Sequence, residues 1–175
     1  MTMADGASTS AAHGRDWLEL ARTAARSWLA VPNGEPPREL LVVEVGGGGY
    51  AIPIERVREI VQPGSLTRIP RTPAWVVGAI ALRGDIVEVV DLAQRLRRDR
   101  TSPGAASRIV VIHAEDEGVA GLLVDSVTGV LRASASDFVG CDEGDFRAVE
   151  EMVRVGESFF GVVDLDRVLG AGHGD

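Results

Sequence analysis

The chain has 175 residues, 45% of them hydrophobic, which is enough to bury a core in one compact domain or in two small domains that share one. Its formal net charge of -8 opposes the phosphate backbone of nucleic acid, which is bound mainly through Lys and Arg, so no nucleic-acid partner is expected. No window approaches the roughly 20 apolar residues that span a bilayer, and no secretion signal opens the chain, so we expect a cytoplasmic protein without direct membrane insertion.

The first 37 residues are predicted to precede the globular part. Residues 1–14 are rich in Ala, Ser, Thr and Gly without an apolar period, which indicates a disordered lead. Residues 16–30 place Trp17, Ala21, Ala24 and Trp28 at helical spacing, which predicts an amphipathic helix. Three prolines in residues 31–37 end that helix in a linker. The domain is therefore predicted over residues 38–170, in two intertwined halves, roughly 38–100 and 101–170.

Short β-branched runs punctuated by turn residues fill the rest of the chain, which favours an all-β fold. Four pairs of runs flank a glycine-rich or polar turn, as the strands of a hairpin do: 40–45 with 50–54, 78–82 with 86–92, 109–113 with 119–124, and 152–155 with 159–163.

Two sequence patterns occur twice in the same order. Ile54-Glu55-x-Val57-x-x-Ile60 returns 70 positions later as Val124-Asp125-x-Val127-x-x-Val130. Val89-Val90-Asp91-Leu92 returns 73 positions later as Val162-Val163-Asp164-Leu165. We interpret Asp91 and Asp164 as caps where a strand gives way to a helical turn. The repeat predicts two similar small β-barrels that pack together and leave a groove between them.

No catalytic constellation can be assembled from the sequence. The three histidines are far apart, at His13, His113 and His173, and the single Cys141 has no neighbours at zinc-ligand spacing. The run of glycines at 46–49 lacks the Lys-Ser/Thr of a phosphate loop. The basic cluster of Arg95, Arg97, Arg98 and Arg100 is interpreted as a solvated helix end. We therefore expect no enzyme activity, no cofactor and no metal, and a function in recognising protein partners.

Residues 40–96 resemble the CheW-like chemotaxis coupling family in several ordered motifs: Tyr50-Ala51-Ile52-Pro53-Ile54, Leu66-Thr67-Arg68-Ile69-Pro70, Leu82-Arg83-Gly84 and Val89-Val90-Asp91-Leu92. Gly121-Leu122-Leu123-Val124-Asp125 and Val163-Asp164-Leu165 continue the resemblance in the second half. The resemblance implies two SH3-like five-stranded β-barrels. It also implies a non-catalytic adaptor that binds the cytoplasmic tip of chemoreceptors and the regulatory domain of the histidine kinase CheA.

The resemblance further implies a partner-binding groove, formed by Val57, Glu59, Ile60, Gly78, Arg83, Ile109 and Val110. The alternative for Val57, Ile60, Ile109 and Val110 is that they belong to the barrel core. Departures from the family pattern, such as Ala81 and Glu88, and the extra N-terminal helix leave a second function open. In that alternative a divergent paralogue serves a non-chemotaxis or pilus-type pathway and docks through the N-terminal helix.

Overall fold

A computed structural model describes residues 36–99, 103–114, 118–141 and 148–170. The predicted disordered lead and amphipathic helix lie outside these residues. The first half contains β1 (Arg38–Val45), β2 (Gly48–Pro53), β3 (Val57–Val61), β4 (Val76–Leu82), β5 (Asp85–Asp91) and α1 (Leu92–Arg95). The second contains β6 (Arg108–His113), β7 (Val119–Val124), β8 (Ser126–Ala133), β9 (Phe138–Gly140), β10 (Val149–Val155), β11 (Ser158–Val163) and α2 (Leu165–Leu169). The 3₁₀ turns Ile54–Arg56 and Ala135–Asp137 precede β3 and β9.

All four predicted hairpins are confirmed, as β1–β2, β4–β5, β6–β7 and β10–β11. In the first, the turn residues Gly46 and Gly47 have φ values of 55° and 73°, the left-handed pair that a two-residue hairpin turn requires. Both predicted caps are also confirmed. Asp91 accepts a hydrogen bond from the Gln94 amide at 3.2 Å, and Asp164 accepts one from the Arg167 amide at 2.9 Å.

The strands form two sheets, and each sheet takes strands from both halves of the chain. The six-stranded sheet has the order β8-β1-β2-β11-β10-β9, and the five-stranded sheet has the order β3-β6-β7-β5-β4. In the repeat, β1, β2 and β3 correspond to β6, β7 and β8, and β4 and β5 correspond to β10 and β11. If every strand of the six-stranded sheet except β9 is replaced by its counterpart from the other half, the order of the five-stranded sheet results. The two parallel pairs, β2–β11 and β5–β7, are the places where strands of different halves meet.

The prediction of five strands in each sheet was wrong for one of them. The six-stranded sheet contains the additional short strand β9, in which Val139 pairs with Met152. The first half has only a single bridge at the matching place, between Thr67 and Ala79. The sequence between β3 and β4 carries three prolines, Pro63, Pro70 and Pro73, which lack the backbone donor that a longer ladder needs.

Three apolar clusters form the core. One lies on a face of the six-stranded sheet and includes Leu40, Val42 and Val153, and a second lies on a face of the five-stranded sheet and includes Val87, Ile109 and Val111. The third and largest lies between the sheets and draws on both. Strands β1 and β6 are hydrophobic at successive positions because both of their faces are buried, one in a single-sheet cluster and the other between the sheets.

Candidate partner-binding surface

The candidate surface is centred on β3 and on the turn between β4 and β5. Arg58 Nη1 lies 3.2 Å from Asp85 Oδ2, and Arg83 Nη2 lies 3.3 Å from Glu59 Oε2. β3 stands at one edge of the five-stranded sheet and β4 at the other, and these ion pairs link β3 to the turn between β4 and β5. The sheet is therefore curved enough to bring its edges together, and charged side chains cover the place where they meet.

Arg83 has an unusual backbone conformation. Leu82 pairs with Asp85, so Arg83 and Gly84 alone form the turn, with φ values of 52° and 96°. A non-glycine residue rarely adopts a positive φ, and this conformation is typical of the tight hairpin turn that matches strand twist. The Arg83 side chain is 72% exposed, whereas that of its partner Glu59 is 19% exposed. The turn thus presents a guanidinium to solvent over a largely covered carboxylate.

Apolar side chains lie on the same strand. Ile60 is 41% exposed, whereas Val57 is half-buried and packs against the cluster between the sheets. Val130 lies at the repeat-equivalent position on β8 and is 57% exposed. An exposed isoleucine beside a paired arginine and glutamate gives the mixture of apolar and charged groups that protein interfaces use.

Gly78 is in close contact with its own chain. A Cβ atom at this position would lie 2.6 Å from the Thr67 carbonyl oxygen, and its φ is 149°. The residue sits where the register of β4 and β5 shifts, beside the Thr67–Ala79 bridge. The loop before β4 therefore occupies the space that a side chain at this position would need, so the fold requires a glycine here.

Ile109 and Val110 lie in the core, not at the surface. Both are 0% exposed, and their side chains belong to two different clusters, Ile109 to that of the five-stranded sheet and Val110 to that between the sheets. A docking protein cannot touch these side chains while the fold is intact. They pair with Val61 and Ile60, respectively, so they support β3 from the neighbouring strand.

The model of the CheW-like domain family matches residues 39–173, which include every residue of this surface. The chain belongs to the CheW-like family. It is 31% identical over 120 residues to the protein FrzA of Myxococcus xanthus, covering 69% of this chain and 74% of that protein. It is 37% identical over 100 residues to the chemotaxis protein CheW of Rhizobium meliloti, covering 57% of this chain and 64% of that protein.

Among solved structures, the chain is similar to the scaffolding protein TtCheW of Thermoanaerobacter tengcongensis. The two share 27% identity and superpose with a TM-score of 0.72, covering 78% of this chain and 94% of that one. This match of a CheW-like structure agrees with the mostly β architecture and the two sheets.

Sequence reasoning missed two members of the ion-pair cluster in this CheW-like chain. Arg58 and Asp85 are 27 positions apart and lie on different hairpin systems, so no spacing rule connects them. The available signal was an acid directly after a predicted Arg-Gly turn and a basic residue on an edge strand. Both features are common in sequences, and only the curvature of the sheet brings these two residues together.

The basic cluster after β5 is less solvated than the sequence indicated. Arg95 stacks on Trp75, with 4.6 Å between its Cζ and the ring centroid, and donates hydrogen bonds to the carbonyl oxygens of Arg167 and Gly170. Burial lowers the pKa of the Arg95 guanidinium. Arg98 donates through Nε to the Tyr50 hydroxyl at 2.6 Å. Arg95 therefore joins the two halves of the CheW-like domain, whereas Arg98 contacts Tyr50 within the first half.

Within residues 36–99, 103–114, 118–141 and 148–170, no group of His, Cys, Asp and Glu side chains is arranged to hold a metal ion. The same residues include no helix with the length and hydropathy to cross a membrane. Cys141 is half-buried, and its thiol lies 3.6 Å from the Val149 carbonyl oxygen.

Proposed function

We propose that this chain is a non-catalytic adaptor that couples chemoreceptors to a CheA-type histidine kinase in chemotaxis signalling. The observation that carries the proposal is the match to the CheW-like domain over residues 39–173, together with relatives named chemotaxis protein CheW. The expected partners are the cytoplasmic tip of the receptors and the regulatory domain of the kinase, and the proposed location is the cytoplasm. Neither role requires a cofactor.

The finer fold assignment belongs to the same proposal. We infer that each sheet closes into an SH3-like barrel, which is supported at the five-stranded sheet by the ion pairs of Arg58 and Arg83 across its edges. The domain begins near residue 38 and ends near residue 170. Its halves, 38–100 and 101–170, are sequence repeats that exchange strands, so neither half forms a barrel from its own strands.

The expected groove residues fall into two groups, those that a partner can contact and those that hold the first group in position. Glu59, Ile60 and Arg83 are the members that a partner can contact, with Val57 at the margin of the core. Gly78 and the pair Ile109 and Val110 set the position of these residues through packing. Arg83 is suited to a carboxylate or carbonyl of the partner because its guanidinium offers donors in a fixed fork.

The test is binding of the full chain to a cognate CheA regulatory domain and a receptor-tip fragment, measured separately by calorimetry. The expected result is binding to both. Arg83→Ala is expected to weaken binding by about tenfold to at least one partner, while the melting temperature falls by no more than a few degrees, because exposed ion pairs contribute about 1 kcal/mol or less.

Arg154→Ala is the matched control, because Arg154 is an exposed arginine on β10 without an acidic partner among the described residues. It is expected to leave both affinities unchanged. Failure of the unmodified chain to bind either protein would contradict the adaptor function. If Arg83→Ala reduced thermal stability and binding in the same proportion, Arg83 would instead be a structural residue.

The alternative of a non-chemotaxis or pilus-type pathway entered through the N-terminal helix is not favoured by the comparisons. Several relatives carry the name chemotaxis protein CheW. Deletion of residues 1–37 distinguishes the two functions, because coupling through the β-domain is expected to survive this deletion.

A further inference from the structure

The loop of residues 62–75, between β3 and β4, is the longest stretch without helix or strand inside the first half. Loops of this length in compact domains are usually functional. This one is anchored at two points. Thr67 and Ala79 exchange backbone hydrogen bonds of 2.9 and 2.8 Å, and the Trp75 carbonyl accepts a hydrogen bond from the Asp91 amide at 2.8 Å. The loop is therefore held to β4 and to the end of β5.

The centre of the loop is stiff. Pro70 and Pro73 fix two φ angles and restrict the residues before them. The Thr72 hydroxyl donates to the Ile69 carbonyl at 2.9 Å, and the Val76 amide donates to the Pro73 carbonyl at 3.0 Å. A loop that is ordered in advance loses little conformational entropy when a ligand binds. This stretch is built as a fixed surface.

Two cations on this surface have no acidic partner among the described residues. Several arginines of the described residues pair with carboxylates, such as Arg56 with Asp166 at 3.0 Å. Arg68 and Arg71 are both exposed, and no ion pair with a described residue satisfies either guanidinium. Arg71 is also held at a φ of 65° in the turn between the prolines. The net charge of the chain is -8, yet this stiff loop carries two cations that no acid of the described residues compensates.

An open cavity of about 260 Å³ lies beside Arg68, and Thr72, which follows Arg71 in the chain, also lines it. Arg68 and Ile69 line one part of it, and Thr72, Pro73 and Val76 line another. The volume is below the range of typical small-molecule pockets, about 300 to 1,000 Å³, and suits one side chain of a peptide. Its lining combines apolar surface with a guanidinium.

We propose that this loop is a docking site for an acidic peptide segment of a partner protein. Carboxylates of the segment pair with Arg68 and Arg71, and an apolar side chain between them enters the cavity against Pro73 and Val76. Arginine forms two parallel hydrogen bonds to a carboxylate, which fixes the direction of the segment. Extended polyanions such as nucleic acid or an anionic membrane are disfavoured, because the rest of the chain repels them. The site is separate from the partner surface on β3 and does not depend on which proteins the chain couples.

The experiment uses the full chain and a fluorescein-labelled peptide of alternating Glu and Leu, with a Gln-for-Glu peptide as its neutral counterpart. Fluorescence anisotropy at low salt measures the affinity. The Glu peptide is expected to bind more tightly than the Gln peptide. The double variant Arg68→Gln/Arg71→Gln is expected to bind the Glu peptide about tenfold more weakly, because two exposed charge pairs are lost.

Arg97→Gln is the matched control. Arg97 is exposed, has a φ of 54° and lacks an acidic partner among the described residues, but it does not line the cavity. Retained affinity in Arg97→Gln and lost affinity in the double variant support the site. Equal weakening in both, or equal binding of the Glu and Gln peptides, overturns it. Displacement of the peptide by inorganic phosphate at a lower concentration than by acetate overturns the carboxylate assignment. If the chain self-associates and the double variant does not, the occupant of the site is a second copy of the chain and not a partner protein.

Discussion

Replacement of Gly78 by alanine should destabilise the fold through one specific contact. The new Cβ would lie 2.6 Å from the Thr67 carbonyl oxygen, a backbone atom that can move only if the Thr67–Ala79 bridge opens. The φ of 149° adds backbone strain of about 1 to 3 kcal/mol for a non-glycine residue. Weakening of two backbone hydrogen bonds adds about 1 kcal/mol for each. The expected loss in free energy of unfolding is therefore about 3 to 5 kcal/mol, or about 10 to 15 °C in melting temperature.

Gly129→Ala is the control for this change. Gly129 has a similar φ of 159°, but a Cβ there meets no atom within 4 Å, so the two variants differ mainly in the contact with Thr67. Urea unfolding followed by circular dichroism gives both free energies. Equal losses in the two variants, or a loss below about 0.5 kcal/mol in Gly78→Ala, would refute the explanation. A Gly78→Ala protein of normal stability that fails to bind partners would instead assign Gly78 to the interface.

Three further changes test the core, a cap and a charge. Val110→Ala is expected to lower the free energy of unfolding in urea by about 2 kcal/mol, because Val110 is 0% exposed. Ile60→Ala, at 41% exposure, should lower it by less than about 1 kcal/mol. Equal losses in the two variants would contradict the assignment of Val110 to the core. Asp91→Ala should cost about 1 to 2 kcal/mol, because the buried carboxylate accepts from both the amide and the side chain of Gln94, and Asp91→Asn should recover part of the loss in the same assay. Burial and the nearby carboxylates of Glu151 and Asp164 raise the pKa of the Glu150 carboxyl. The protonated form of Glu150 therefore favours folding, and its contribution to stability is lost as the pH rises through the raised pKa. At pH 7 the Glu150→Gln variant should therefore be more stable than the unmodified chain, and this advantage should disappear below the usual carboxyl pKa near 4.5. Thermal melts from pH 3 to 8 measure it, and a difference in melting temperature that stays constant over this range would contradict the explanation.

Part of the candidate surface could be predicted from sequence. Glu59, Ile60 and Arg83 were named through the family resemblance, and the structure places them on one exposed region of β3 and the β4–β5 turn. Ile109 and Val110 were named by the same resemblance, but both are buried. Sequence could not separate these groups, because an apolar residue on a strand has the same identity whether it faces a core or a partner.

The local order of this protein was determined by its sequence. Glycine at turn positions fixed the hairpins, and aspartate at 91 and 164 fixed the starts of two short helices, because these effects act within a few residues. The repeat likewise indicated two similar units. Only the tertiary structure decided that each sheet combines strands of both halves, that Arg58 meets Asp85, and that Arg68 lies beside a cavity, with neither Arg68 nor Arg71 paired to an acid among the described residues. These features depend on contacts between residues far apart in the chain, which arise from strand exchange and sheet curvature and leave no local pattern.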